Sequence, residues 1–148
     1  MLSVDPKYEL LEKVMTEMIP FNKMLGIEVR SLKKGYAELK IPFRPEFVGD
    51  FTKPALHGGV LSALMDVTGG AAVWTVLGAN SRVATIDLRV DYLKPGQSLD
   101  VFARAQVLRV GGRVGVASVQ AFHEEKPEEI IADARGVYVL RRNVENAN

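Results

Sequence analysis

One acid stands inside a long apolar run. The stretch PALHGGVLSALMDVTGGAAVWTVLG, from Pro54 to Gly78, carries Asp66 as its single carboxylate. Burying an unpaired carboxylate is costly, so an acid kept ionisable here suits a general base or a nucleophile. At the start of the run, Gly58 and Gly59 follow His57 and leave the backbone unobstructed. The first N–H groups of a helix lack intrahelical partners and its dipole favours negative charge. Such amides can hold a developing oxyanion. Each feature also has a structural reading: glycine is common near an N-cap, and a buried acid can be satisfied by backbone or by another chain.

Spacing makes the pair more informative. Gly58 and Asp66 are eight residues apart, about 12 Å along a helix, so one chain cannot bring both to a single carbonyl. Two copies with helices antiparallel about a two-fold axis would set Asp66 of one against Gly58 of the other, giving two composite sites per dimer.

Around this run the pattern predicts an α+β domain. Asp5-Pro6 reads as an N-cap followed by proline at the first helical position. The apolar stripe through Tyr8, Leu11, Met15 and Met18 then predicts a helix within residues 1–20, stopping at Pro20. GIEVRSL and YAELKIPF alternate as two strands joined at Lys33-Lys34-Gly35, and residues 42–54 form a loop. The run from Gly58 to Leu77 is apolar on nearly every side, which marks a buried helix, with Gly78 as its stop. Gly69, Gly70, Ala71 and Ala72 leave room for another backbone to approach or for a ligand to enter. Four strands follow: RVATIDLRVDYL, SLDVFARAQVLRV, RVGVASVQAFHEE and EIIADARGVYVLRR, the middle pair turning at Gly111-Gly112. In the first, Ala84, Ile86, Leu88, Val90 and Tyr92 alternate against Thr85, Asp87, Arg89 and Asp91. His123 reads as strand-end surface, and residues 143–148 as a flexible tail. The expectation is one domain over 1–148, an antiparallel sheet wrapped around one long helix.

Composition narrows the function. The 148 residues carry a net charge of +1, with no cysteine and two histidines. Bulk electrostatics therefore favour no nucleic-acid or anionic-membrane partner, and disulfides, thiolate metal sites and a cysteine nucleophile are excluded. No spacing suggests a metal site. The N-terminus lacks the pattern of a secretory signal, and the apolar run, with its acid and glycines, reads as a buried helix rather than a membrane span. A cytoplasmic location is expected.

The segment HGGVLSALMDVTGGAA resembles the signature of the hotdog-fold thioesterases, specifically the phenylacetate-pathway branch, where an Asp follows the His of His-Gly-Gly by nine residues. TIDLRVDYLKPG resembles the family's next strand, with Thr85 two residues before Asp87, and VLRVGGRVGVASVQAF resembles a hairpin that helps hold coenzyme A. The likeness runs from about Phe21 to Leu140. It implies a homodimer, commonly paired into a dimer of dimers, that hydrolyses acyl- or aryl-acyl-coenzyme A without metal or cofactor. Carried over, Asp66 is the base or nucleophile, the Gly58 amide polarises the thioester carbonyl, and Thr85 positions water. His57, which also shapes the helix start, and Gly59 are implied to bind substrate together with Gly111, Gly112 and Arg113, the last three on the hairpin that helps hold coenzyme A. Many relatives carry Asn six residues before the His; here that position is Phe51.

Two other readings stand beside hydrolysis: a non-catalytic acyl-coenzyme A binding protein, and a hydratase or dehydratase on the same fold. The latter needs a His–acid pair, yet His57 and Asp66 lie about 13 Å apart along one helix. Trp74, Phe51, Phe47 and Met65 line either an acyl tunnel or the core.

Overall fold

The computed structural model describes residues 3–78 and 80–142; the predicted tail, 143–148, lies outside them. Asp5 caps the N-terminus by accepting the Lys7 N–H at 3.1 Å. After the short strand β1 (Ser3–Val4) and a 3-10 turn, helix α1 (Glu9–Lys13) runs into a π-helical turn over Val14–Met18. The chain is extended at Ile19, but Pro20 opens a new helix, α2 (Pro20–Leu25), rather than ending the structure. Proline's fixed φ and missing N–H fit a first helical position. Gly26, at φ 73°, ends α2.

Strands β2 (Glu28–Lys33) and β3 (Tyr36–Ile41) turn at Lys34-Gly35, where Gly35 takes φ 75°. The long helix α3 (Gly58–Trp74) follows, then β4 (Arg82–Tyr92), β5 (Val101–Val110), β6 (Val114–Phe122) and β7 (Ala132–Arg141). The sheet order is β1-β2-β3-β5-β6-β7-β4. The six longer strands are antiparallel, and β1 adds a two-residue parallel edge on β2. This is the sheet-around-a-helix arrangement expected from the sequence. Leu64, Met65, Ala71, Ala72 and Val73 of α3 are fully buried, and such side chains contribute about 1.5–3 kcal/mol each for the larger ones.

Two local expectations are corrected. The helix ends at Trp74, not at Gly78, whose φ is not positive. Its stop is Thr75, whose Oγ1 donates to Ala72 O at 2.6 Å and accepts the Gly35 N–H at 2.8 Å. That tie pins the helix end to the β2–β3 turn. The small residues of α3 admit an aromatic ring rather than a backbone: a Cβ on Gly69 would lie 3.1 Å from both Tyr138 Cζ and Val119 Cγ2.

Strand β4 positions the site. It pairs only with β7, so its other edge is open, and most of its side chains are exposed. Its register slips between Thr85 and Asp87, leaving Ile86 as a bulge. A bulge reverses the alternation. Thr85 pairs with Tyr138 while Leu88 pairs with Gly136, so Thr85 and Leu88 both face α3. The simple alternation, which put them on opposite faces, is wrong at this point.

Candidate active site

The chain presents two candidate half-sites. The first is the start of α3. His57 is the N-cap, with φ −62° and ψ 131°, and its Nδ1 accepts the Gly59 N–H at 2.8 Å. A Cβ on Gly59 would sit 2.8 Å from that same nitrogen, so the cap requires glycine there. The arrangement uses up the Gly59 amide. The Gly58 N–H has no acceptor among the described residues, and it is the free donor of the pair. Tyr92 packs over Gly58, its hydroxyl donating to Gly58 O at 3.1 Å. Beside them lies an open cleft of about 340 Å³, lined by Leu56, Gly58, Leu61, Tyr92, Leu93 and Lys94 among others.

The lead into this helix is braced on both sides. His57 N–H donates to Phe47 O at 2.8 Å, Leu56 N–H to Gly96 O at 2.9 Å, and Ser98 Oγ to Pro54 O at 3.0 Å. The segment carrying Gly96 and Ser98 is held in turn by His123, whose Nε2 accepts the Gln97 N–H at 3.0 Å and whose Nδ1 lies 2.9 Å from Asp100 O. His123 is therefore not strand-end surface but 7% exposed. Both of its ring nitrogens are satisfied by backbone groups, which is what permits the burial. Asp100 also accepts the Phe43 N–H at 2.7 Å; that bond, with Lys40 nearby, holds its carboxyl below the usual carboxylate range.

The second half-site is the middle of α3. Asp66 is half-buried, and its Oδ1 accepts the Thr85 hydroxyl at 2.7 Å. Its Oδ2 has no partner among the described residues and is left for other chemistry. The backbone carbonyl of Asp66 accepts the Tyr138 hydroxyl at 2.9 Å. Tyr138 is buried, and burial together with the negative Asp66 pushes its phenol well above the ordinary value. Sequence reasoning missed Tyr138; the one signal for it was the Gly69-Gly70 pair that makes its room.

Thr85 thus meets Asp66, as their placement near one reaction centre requires, whereas Gly58 does not. Gly58 sits by Tyr92, six ladder steps beyond Thr85 on β4 once the Ile86 bulge is allowed for, or about 20 Å along a strand. The hairpin of Gly111, Gly112 and Arg113 lies at the Thr85 end: Val114 pairs with Val139, which pairs with Ala84. Arg142 clamps that hairpin, donating to Gly112 O at 3.3 Å and Gly111 O at 3.1 Å. Of the apolar candidates, Phe47 and Met65 are core, Phe51 is fully exposed, and Trp74 is half-buried. Asp87, Arg89 and Asp91 pair with β7 residues on the outer face, Arg89 and Asp91 lying 3.6 Å apart. Among the described residues no three His, Asp or Glu side chains group as metal ligands, and no helix is long and apolar enough to cross a membrane.

The chain as a whole is similar to known proteins. The family model of the thioesterase superfamily matches residues 54–130, which include the start of α3, Asp66 and Thr85. The chain is 34% identical over 152 residues to the medium/long-chain acyl-CoA thioesterase YigI of Escherichia coli, a likeness covering 94% of this chain and 97% of that one. A crystal structure from Shewanella oneidensis, described as related to the thioesterase superfamily, superposes with a TM-score of 0.79 at 30% identity over 87% of this chain and 92% of that one. An X-ray structure of another superfamily protein gives a TM-score of 0.84 at 28% identity, over 93% and 100% of the two chains. With its central helix, wrapped antiparallel sheet and acid-bearing helix motif, the chain belongs to the thioesterase superfamily as a hotdog-fold thioester hydrolase.

Proposed function

We propose that the protein hydrolyses medium- to long-chain acyl-coenzyme A thioesters at sites shared by two copies of the chain. The observation that carries this is the separation of the half-sites along an open strand. Asp66 is tied to Thr85 and Gly58 is tied to Tyr92, with both pairs bridging α3 and β4. A two-fold axis that pairs the open β4 edges antiparallel with Thr85 against Tyr92 passes at Arg89, because the Ile86 bulge takes one step out of the register. One that sets Asp66 against Gly58 passes α3 at Ser62. We assign both to a single axis, which would also cover an edge that otherwise invites nonspecific pairing.

At such a site the thioester carbonyl lies between the Asp66 carboxylate of one copy and the Gly58 N–H of the other. Asp66 either removes a proton from water as its oxygen bonds to the carbonyl carbon, or attacks that carbon itself and is released by water. In both routes the Gly58 amide holds the oxyanion, the C–S bond breaks, and the coenzyme A thiolate takes up the proton. Thr85 fixes the carboxylate rather than the water. The Gly111–Arg113 hairpin, on the Asp66 side, is the expected contact for coenzyme A, and neither metal nor cofactor takes part. The acyl class follows the YigI likeness; the phenylacetate branch rests on the shared motif alone.

Asp66→Asn keeps shape and removes the basic oxygen. It is expected to lower kcat at least ~10²-fold on the best acyl-coenzyme A, with the thermal transition preserved. Near-wild-type turnover would refute the assignment, and a wild type that binds these esters without cleaving them would make the protein a binding module.

A further inference from the structure

Beyond Asp66, the half-buried positions of α3 are Val67, Gly70 and Trp74, spaced three and four apart and so on one face. Trp74 lies eight residues past Asp66, about 12 Å along the helix. There the row opens into a cavity of about 350 Å³ between α3 and the N-terminal helix, walled by Leu10, Leu11, Val14, Trp74 and Leu77. Its lining is largely apolar, and the charged side chains on it are Lys7 and Lys34. Leu10 is half exposed at its wall. Gly70 adds to the path: a Cβ there would only touch the Tyr138 ring at 3.4 Å, so packing does not demand its bareness as it does at Gly69.

We propose that this cavity takes the methyl end of the acyl chain whose thioester is held at Asp66, making the N-terminal helix the element that sets preferred chain length. The inference rests on the thioesterase reading above. The face of α3 between carboxylate and cavity carries Val67 and Gly70, the span from Asp66 to Trp74 suits a chain of many methylenes rather than an acetyl group, and each methylene buried strengthens binding several-fold.

Two measurements decide it. The first compares kcat/KM for butanoyl-, octanoyl- and dodecanoyl-coenzyme A in the wild type and in Leu10→Trp, which fills the cavity from an exposed helix position. The dodecanoyl-to-butanoyl ratio should fall by about 10-fold or more, the loss of a few buried methylenes. A ratio unchanged within twofold would overturn the proposal while leaving hydrolysis itself intact. The second uses Trp74, the single tryptophan of the chain, as a reporter in Asp66→Asn. Dodecanoyl-coenzyme A should shift its emission to the blue and saturate, and butanoyl-coenzyme A or coenzyme A should not. An unmoved emission, or one that follows protein concentration alone and so assigns the cavity to a second copy, would overturn it. A wild type that cleaves no acyl-coenzyme A would sink the function proposed above, and the emission titration would still decide the cavity.

Discussion

Asp66 and Asp100 show how the same side chain takes opposite work from its surroundings. Asp66 has one oxygen on Thr85 and the other without a partner among the described residues, whereas Asp100 spends its charge on the Phe43 amide and on Lys40, 3.2 Å away. Thr85→Val, which keeps volume and loses the hydroxyl, should lower kcat about 10-fold with little change in KM, and Thr85→Ser should restore most of it. Equal losses in both variants would show that the methyl group, not the hydroxyl, matters. For Asp100 the folded carboxyl sits below its ordinary value, so its contribution is complete above that value and is lost as pH falls through the folded one. Asp100→Asn should therefore lower the Tm near neutrality, and its deficit should shrink below about pH 4. A deficit constant from pH 7 to pH 3 would mean the charge is irrelevant. At this scale Asp66 and Gly58 are legible as candidates because an acid in an apolar run and glycines at a helix start stand out by type. His123 was not, since its partners are the backbone groups of Gln97 and Asp100, which leave no side-chain pattern.

Helix α3 and strand β4 owe their fit to single-residue devices that alternation and periodicity do not display. The Ile86 bulge turns Thr85 toward α3, yet Ile86 is apolar and so preserves the appearance of an unbroken alternating strand. Thr75, not Gly78, closes the helix because its hydroxyl reaches a turn forty residues earlier in the chain. The adjacent glycines of α3 test this reading of the packing. Each costs up to about 1 kcal/mol in helix propensity relative to alanine. At Gly70 a methyl makes ordinary contact with the Tyr138 ring, so Gly70→Ala should raise stability by up to about that amount. At Gly69 the methyl meets Tyr138 and Val119 too closely, and overpacking costs about 1–3 kcal/mol, so Gly69→Ala should be net destabilising. Denaturant melts of the two variants that move in the same direction would contradict the assigned roles.

At the scale of the whole molecule, the Gly58 amide and the Asp66 carboxylate of one chain are held against opposite ends of the open strand β4, and on the function proposed above a second copy supplies the missing half of each site. Gly58→Pro isolates the amide: proline is favoured at a first helical position, the Gly58 N–H has no acceptor among the described residues to lose, and His57 already has the extended backbone that proline demands of its predecessor. The half-exposed Tyr92 ring, 3.3 Å from a Cβ at this position, must give by a few tenths of an ångström. The variant should fold and lose about 10²–10³ in kcat, the effect of one oxyanion donor. Asp66→Asn loses the other half. If each site draws on two chains, mixing the two inactive proteins under conditions of subunit exchange produces hybrids in which one site carries both defects and the other neither. Half of the dimers are then hybrids and half of their sites are intact, so activity should return to about a quarter of the wild-type level. Sites contained within single chains would recover nothing however long the mixture stood, and a mixture whose hybrid dimers are demonstrated by mass yet remain inactive would rule out the shared site.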